Sequence, residues 1–296
     1  MSPAFVSQLK EKLRPHLSDL LAGKEAGGIL SFADRQTLQE KLELLANKTL
    51  SPAWRKDLTH TQRESLVREL LDEIISGPAS SGKTTLMNAL AATIPTSERI
   101  VLIEDPAELR LPDHHIVRLE ARPPNIEGRG EITIRHLVKR ALHMRPDRII
   151  VSEVRGAEAL DMLQAMNTGH DGSLTTLHAN SPADTIDRIE TMALMSQLEM
   201  SQLAVERQTR SAIDLVIQIE RFADGKRQVT HISEVRKGKD LPRPPVADLF
   251  LITEGPSKAQ RILRSTGATP SFLGRLSKSG MEIPSNLFMK KSEGSP

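Results

Sequence analysis

The chain has 296 residues, a formal net charge of +2, no cysteine, and only 2% aromatic residues, with Trp54 its single tryptophan. The missing cysteines exclude disulfides, thiolate metal sites and thiol catalysis, while the balanced charge and scarce aromatics argue against direct nucleic-acid binding through base stacking or a global field. A core built from Leu, Ile, Val, Met and Ala suits helix-on-sheet packing, and with no leader pattern and no membrane-length apolar run the expectation is a cytoplasmic protein.

Residues 1–60 read as a helical N-terminal appendage. Phe5, Leu9, Leu13, Leu17, Leu20 and Leu21 recur at three- and four-residue steps, Gly27-Gly28 interrupt, and Leu38, Leu42 and Leu45 resume the period. Residues 61–76 form a short helix or linker: Leu66, Val67, Leu70, Leu71, Ile74 and Ile75 keep helical spacing, which makes Asp72-Glu73 a helix end. The next motif contradicts that reading. A loop opening at Gly77 should be fed by a buried aliphatic strand, and only Ile74-Ile75-Ser76 are available, so the strand is either very short or a segment is missing upstream.

Gly77-Pro78-Ala79-Ser80-Ser81-Gly82-Lys83-Thr84-Thr85 fits the phosphate-cradling pattern G-x-x-x-x-G-K-[ST]. A glycine-opened turn entering a helix aims successive N–H groups and the positive helix end at one anion. Gly77, Ser80, Ser81, Gly82, Lys83, Thr84 and Thr85 are the candidate nucleotide-binding residues, with Lys83 on the outer phosphates and the Thr84 hydroxyl on Mg²⁺.

Thr84 to Ala92 then reads as a helix and Arg99 to Ile103 as a buried strand that delivers Glu104-Asp105 at its C-terminal end, where open α/β sheets place ligand chemistry. Glu104 is thus a candidate base for the attacking water. Val117 to Arg145 is rich in arginine, with a helix through Leu137, Val138, Ala141 and Leu142. Arg122 and Arg140 are candidate transition-state arginines, acting within the subunit or on a neighbour, although Arg135 and Arg140 also fit that helix's solvated face.

Arg148 to Val151 is a second core strand, and it carries Glu153 just beyond its end, the pattern of a Walker B carboxylate serving metal or water. Ala159 to Met166 reads as a helix. Ser173 to Leu177 is a third strand leading to His178, which can report the γ-phosphate, and Ser181-Pro182 opens another helix. Ile213–Ile219 and Gln228–Val235 pair as strands through Asp224-Gly225. Arg236 to Pro245 reads as a linker, and the C-terminal extension of residues 237–296 is expected to be small and packed, anchored by Leu249-Phe250-Leu251, Phe272-Leu273 and Leu287-Phe288, and to end in a loose Lys/Ser/Gly terminus.

Ile103-Glu104-Asp105-Pro106-Ala107-Glu108-Leu109, Arg122-Pro123-Pro124-Asn125-Ile126-Glu127-Gly128, the run Arg145 to Gly156 and the run Gly169 to Pro182 resemble the Asp box, arginine-bearing segment, Walker B and His box of the type II/IV secretion ATPase superfamily. Within it the CpaF-like ATPases of tight-adherence (Flp) pili are the most similar branch. The resemblance implies a RecA-like P-loop NTPase core over residues 77–236, ATP and Mg²⁺ as cofactors, and a homohexamer acting on an inner-membrane platform protein. It gives Lys83 and Thr84 to phosphate and Mg²⁺, Glu104 to base catalysis, Glu153 to metal or water, and His178 to nucleotide sensing. Ser152 stands where that family usually has Gly, and the family's N-terminal mixed α/β domain is largely missing between Thr61 and Gly77. Three readings follow: a secretion or pilus motor, a DNA-translocating conjugation-type ATPase, or a nucleotide-binding component with weak turnover.

Overall fold

The computed structural model describes residues 71–111, 115–238, 243–255, 261–278 and 285–290. The expected helices of residues 1–60, and residues 61–70, lie outside them. Contact density divides the chain into one unit of residues 1–56 with 222–227 and another of residues 57–221 with 228–296. In the first unit only Phe222–Arg227 is described, a tight turn in which the Phe222 N–H donates to the Lys226 carbonyl and the Gly225 N–H to that of Phe222.

The larger unit is built on one sheet. In chain order its elements are β1 (Glu73–Ser76), α1 (Lys83–Ala91), β2 (Arg99–Glu104), β3 (His115–Glu120), α2 (Ile134–Ala141), β4 (Arg148–Val151), α3 (Glu158–Met166) and β5 (Leu174–Leu177). They continue with α4 (Pro182–Leu194), α5 (Gln202–Ala212), β6 (Leu215–Arg221), β7 (Arg227–Val235), β8 (Val246–Glu254), β9 (Arg261–Ser265) and α6 (Leu273–Lys278). The strand order is β3-β2-β4-β5-β1-β6-β7-β8-β9, parallel from β3 to β6 and antiparallel across β7, β8 and β9.

Alternation along the strands sorts the core into two faces, because successive side chains point to opposite sides. Ile74, Val101, Ile103, Ile149 and Val151 pack against α2, α3, α4 and α5. Ile75, Ile100, Leu102, Ile150 and Leu174 pack on the other side against Met87 and Ala91 of α1 with Leu109 and Leu111. The result is the three-layer α/β, RecA-like core expected from the sequence.

One expectation changes. Glu73–Ser76 is a strand rather than a helix end, and it lies in the middle of the sheet between β5 and β6. Four residues suffice because both neighbours complete its hydrogen bonds. Asp72, which reads as solvated in a helix, is only 4% exposed. Its Oδ1 accepts from the Ser173 N–H at 3.0 Å. After residue 237, β8 and β9 extend the same sheet. Leu249, Phe250, Phe272, Leu276 and Phe288 close a third apolar cluster over Leu71 and Leu215.

Candidate nucleotide-binding site

The parallel strands end on one rim, and the phosphate loop leaves that rim from the central strand β1. Gly77 is required by close approach, since a Cβ there would stand 2.2 Å from the Ile219 carbonyl oxygen and 2.7 Å from Ser81 Oγ. Gly82 adopts φ 103°, in the left-handed region that L side chains avoid, and caps α1 without a side-chain hydrogen bond. No acidic residue stands in the first turn of α1, so its leading N–H groups face the loop uncapped. Ser81 Oγ is buried and has no hydrogen-bond partner among the described residues. Thr84 is half-buried beside it, while Ser80 and Thr85 are exposed. An orphaned buried hydroxyl beside uncapped helix N–H groups fits a phosphate, whose oxygens would satisfy them.

Lys83 folds back over this cradle. Its Nζ donates to the carbonyls of Gly77 at 3.1 Å and Pro78 at 3.2 Å, and to His178 Nδ1 at 3.1 Å. Burial lowers its pKa, Glu153 partly offsets that, and Arg155 adds to the lowering. An ammonium only donates, so His178 Nδ1 is the acceptor and the ring proton sits on Nε2. That nitrogen lies 2.8 Å from Glu153 Oε1. The other Glu153 oxygen accepts from Arg155 Nε at 2.9 Å and Nη2 at 2.7 Å. Lys83, His178, Glu153 and Arg155 therefore form one chain of close polar contacts from the phosphate loop across β5 to the end of β4, in which Glu153 Oε1 is buried and lies near His178 without a hydrogen bond of good geometry.

Arg155 is the member that sequence reading missed. It is more than a turn residue: two residues past Glu153, it neutralises that carboxylate, and Asp105 lies within its electrostatic reach. Its two-residue spacing from an acid at a strand end was the available signal.

Glu104 is placed differently from a free base. It is 1% exposed. Its Oε1 accepts from the N–H groups of Glu108 at 2.8 Å and Leu109 at 2.7 Å. Its Oε2 meets Arg118 at 3.3 Å. Both oxygens are thus committed to folding the segment behind β2, and the exposed carboxylates of that segment are Asp105 and Glu108. The arginine expectations are also revised. Arg122 is exposed beyond edge strand β3, where its Nε donates to the Gly130 carbonyl at 2.8 Å. The strands β2, β4 and β5 separate it from β1, so it stands apart from its own chain's phosphate loop. Arg140 closes α2, which hands the chain to the start of β4, on the rim opposite the phosphate loop. A connecting helix returns to the sheet's other end, and this carries Arg140 away from the site.

For Mg²⁺, Thr84 and Glu153 are the available oxygen donors. Among the described residues no group of three or more His, Cys, Asp or Glu side chains is arranged to hold a metal.

Residues 40–244 match the type II/IV secretion system protein family. The chain is 32% identical over 235 residues to the type IV secretion system protein VirB11 of Brucella suis biovar 1, covering 78% of this chain and 56% of that protein. It is 37% identical over 190 residues to the conjugal transfer protein TrbB of Rhizobium radiobacter, covering 61% and 55%. The crystal structure of the Brucella suis VirB11 ATPase in complex with sulphate superposes with a TM-score of 0.52 at 27% identity, over 71% of this chain and 57% of that one. The chain thus spans about half the length of the relatives it matches. With the family matched over more than half of its residues, and with a phosphate loop, paired carboxylate and histidine brought together on one rim, the chain belongs to the type II/IV secretion system protein family.

Proposed function

We propose that this chain binds MgATP at Gly77–Thr85 and hydrolyses it as the motor subunit of a secretion or pilus-assembly machine of the CpaF-like, tight-adherence type. The observation that carries this reading is the chain of contacts Lys83–His178–Glu153–Arg155. It brings the lysine of the phosphate loop, a carboxylate at the end of a core strand and an imidazole together on the phosphate-loop rim of the sheet.

Each group has a task the geometry supports. Lys83 exchanges its loop carbonyls for the outer phosphates. Ser80, Ser81 and the N–H groups of Gly82 to Thr85 complete the cradle. Thr84 and Glu153 would hold Mg²⁺, which supplies charge neutralisation to the phosphates when bound. His178, released by Lys83, is left with Nδ1 facing the incoming phosphate. Glu104 shapes the Asp105–Leu109 segment, and a free proton acceptor on that segment is Asp105 or Glu108.

Arg122, exposed on the loop side of the edge strand, serves a neighbouring copy in a homohexamer. The motor works in the cytoplasm and passes its conformational steps to an inner-membrane platform protein, with no direct nucleic-acid contact. No helix among the described residues is long and apolar enough to cross a membrane.

ATP turnover of the native chain, Lys83→Ala and Glu153→Gln tests the reading. Both substitutions are expected to lower turnover by about 10²-fold or more. Glu104→Gln is expected to lower the melting temperature as well, because two backbone donors lose a charged acceptor. A second reading, a nucleotide-binding component with weak turnover, is favoured by the captivity of Glu104, and nucleotide binding without turnover in the native chain would establish it instead.

A further inference from the structure

Gln218 is fully buried in the middle of β6, in a strand whose other inner positions are aliphatic. Burying a primary amide is costly unless its donor and acceptor are matched. Here they are matched by groups from the end of β1 and from the turn after β5. Oε1 accepts from the Ser76 hydroxyl at 2.5 Å, and Nε2 donates to the Ala179 carbonyl at 3.3 Å. The Ala179 oxygen can only accept, so it fixes which end of the amide faces it and leaves Oε1 for Ser76.

The two partners are the residues that flank the site. Ser76, in register with Gln218, is the last residue of β1 before Gly77. Ala179 directly follows His178. The two segments run side by side as the parallel β1–β5 ladder up to the pair Ser76 and Leu177, and just past it the Gly77 N–H donates to the Leu177 carbonyl at 3.3 Å. Beyond Ala179 the turn is fixed by α4, whose Asp184 accepts the Asn180 N–H at 2.8 Å. His178 thus stands between the end of the β1–β5 ladder and the residue that the Gln218 amide holds, with its ring 3.1 Å from Lys83 Nζ and 2.8 Å from Glu153 Oε1.

We propose that Gln218 is a positioning residue whose side-chain amide ties the end of the phosphate-loop strand to the His178 turn and so fixes the Lys83–His178 contact. Its functional consequence rests on the nucleotide site proposed above, whereas its geometric content concerns the free protein. Gln218 touches no substrate. It sets where the histidine stands when Lys83 leaves it for a phosphate, and hence how well the site tells a nucleoside triphosphate from a diphosphate.

Imidazole ¹⁵N spectra of the nucleotide-free chain at pH 8, with His178 assigned from the His178→Ala variant, read the contact directly. In the native chain His178 is expected as a single tautomer with the proton on Nε2. In Gln218→Met, which keeps length and loses both polar ends, the ring shifts are expected to average toward a tautomer mixture. Ser76→Ala, which removes half of the tie and spares the amide, is expected to fall between the two and carries the test if Gln218→Met does not fold. Unchanged His178 shifts in a folded variant overturn the proposal.

The affinity ratio of ATPγS to ADP gives the second arm. Gln218→Met and His178→Ala are each expected to lower it about threefold to tenfold, the worth of one hydrogen bond. The double variant is expected to fall no further than His178→Ala, because one residue acts through the other. Additive losses would overturn the proposal. A native chain that binds neither nucleotide would instead remove the proposed function, and the imidazole spectra would still decide on Gln218.

Discussion

Asp72 lies under the central strand, and its carboxyl is pushed up to about 8, first by desolvation, then by the nearby Asp214 and Asp171, against the Ser173 N–H and Lys237. Glu73 is pushed up to about 7 by desolvation, opposed by Arg148 and assisted by Asp214. Asp214 itself is held by Lys237 at 2.8 Å and Arg275 at 2.7 Å. A carboxyl whose folded pKa is raised binds more protons folded than unfolded between its two pKa values, so stability falls as pH rises through that window. For Asp72 the window runs from about pH 4 to 8 and the loss is of the order of a few kcal/mol. Asp72→Asn keeps the acceptor for Ser173 and removes the titration. Its melting temperature at pH 8 is expected to exceed that of the native chain, with a flatter slope from pH 5.5 to 8, and an unchanged slope would refute this account. At this scale the phosphate loop was legible in the sequence because its chemistry is local: Gly77, Gly82, Lys83 and Thr84 act through their own backbone turn. The captivity of Glu104 and the pairing of Arg155 with Glu153 were not, because each depends on partners that only the fold supplies.

Between elements, α2 and α3 are joined by a clamp. Asp161 is 4% exposed and is paired with Arg135 at 2.8 Å and Lys139 at 3.5 Å. Arg135 also reaches the Ser196 carbonyl after α4 at 3.2 Å. It is therefore more than the solvated face its helical position suggests. Arg135→Ala leaves a buried carboxylate with one exposed lysine and is expected to destabilise the chain by about 2–3 kcal/mol, read by chemical denaturation. A change within experimental error would mean the clamp is idle. The helices α1 to α4 and the strands β2, β4 and β5 could be read from periodicity and caps, since each is either amphipathic or aliphatic along its length. Strand β3 could not, because an edge strand with alternating exposure and three charged or histidine residues looks like surface. Strand β1 misled for the opposite reason. Ile74-Ile75 satisfies helical spacing as well as a strand, and Asp72-Glu73 looks solvated unless the burial beneath β1 is known.

Across the whole molecule, the sheet does not stop where the family's phosphate chemistry stops. Strands β8 and β9 continue it, and the residues that follow seal Leu71 and Leu215 with two phenylalanines in contact, Phe250 and Phe288, at a ring separation of 5.8 Å. Deleting residues 246–296 would leave β7 as a bare edge over an open apolar cluster. Such a truncation is expected to aggregate, or to melt about 10 °C or more below the full chain. A soluble truncation with an unchanged melting temperature would show the extension to be dispensable. The apolar anchors were visible in sequence, but their strands were not, because the charged and proline-rich stretch before them reads as a linker. The four-residue β1 has one more consequence, and it concerns the order in which the chain can fold. Its partners are Ile74 with Thr175 and Ile74 with Val216, far downstream, so the phosphate loop has no floor until β6 has been made. Loop closure over such separations is slow and entropically costly. During synthesis, therefore, the segment most recognisable in the sequence is among the last to acquire its native shape, and nucleotide can assist folding only after Leu215–Arg221 has emerged.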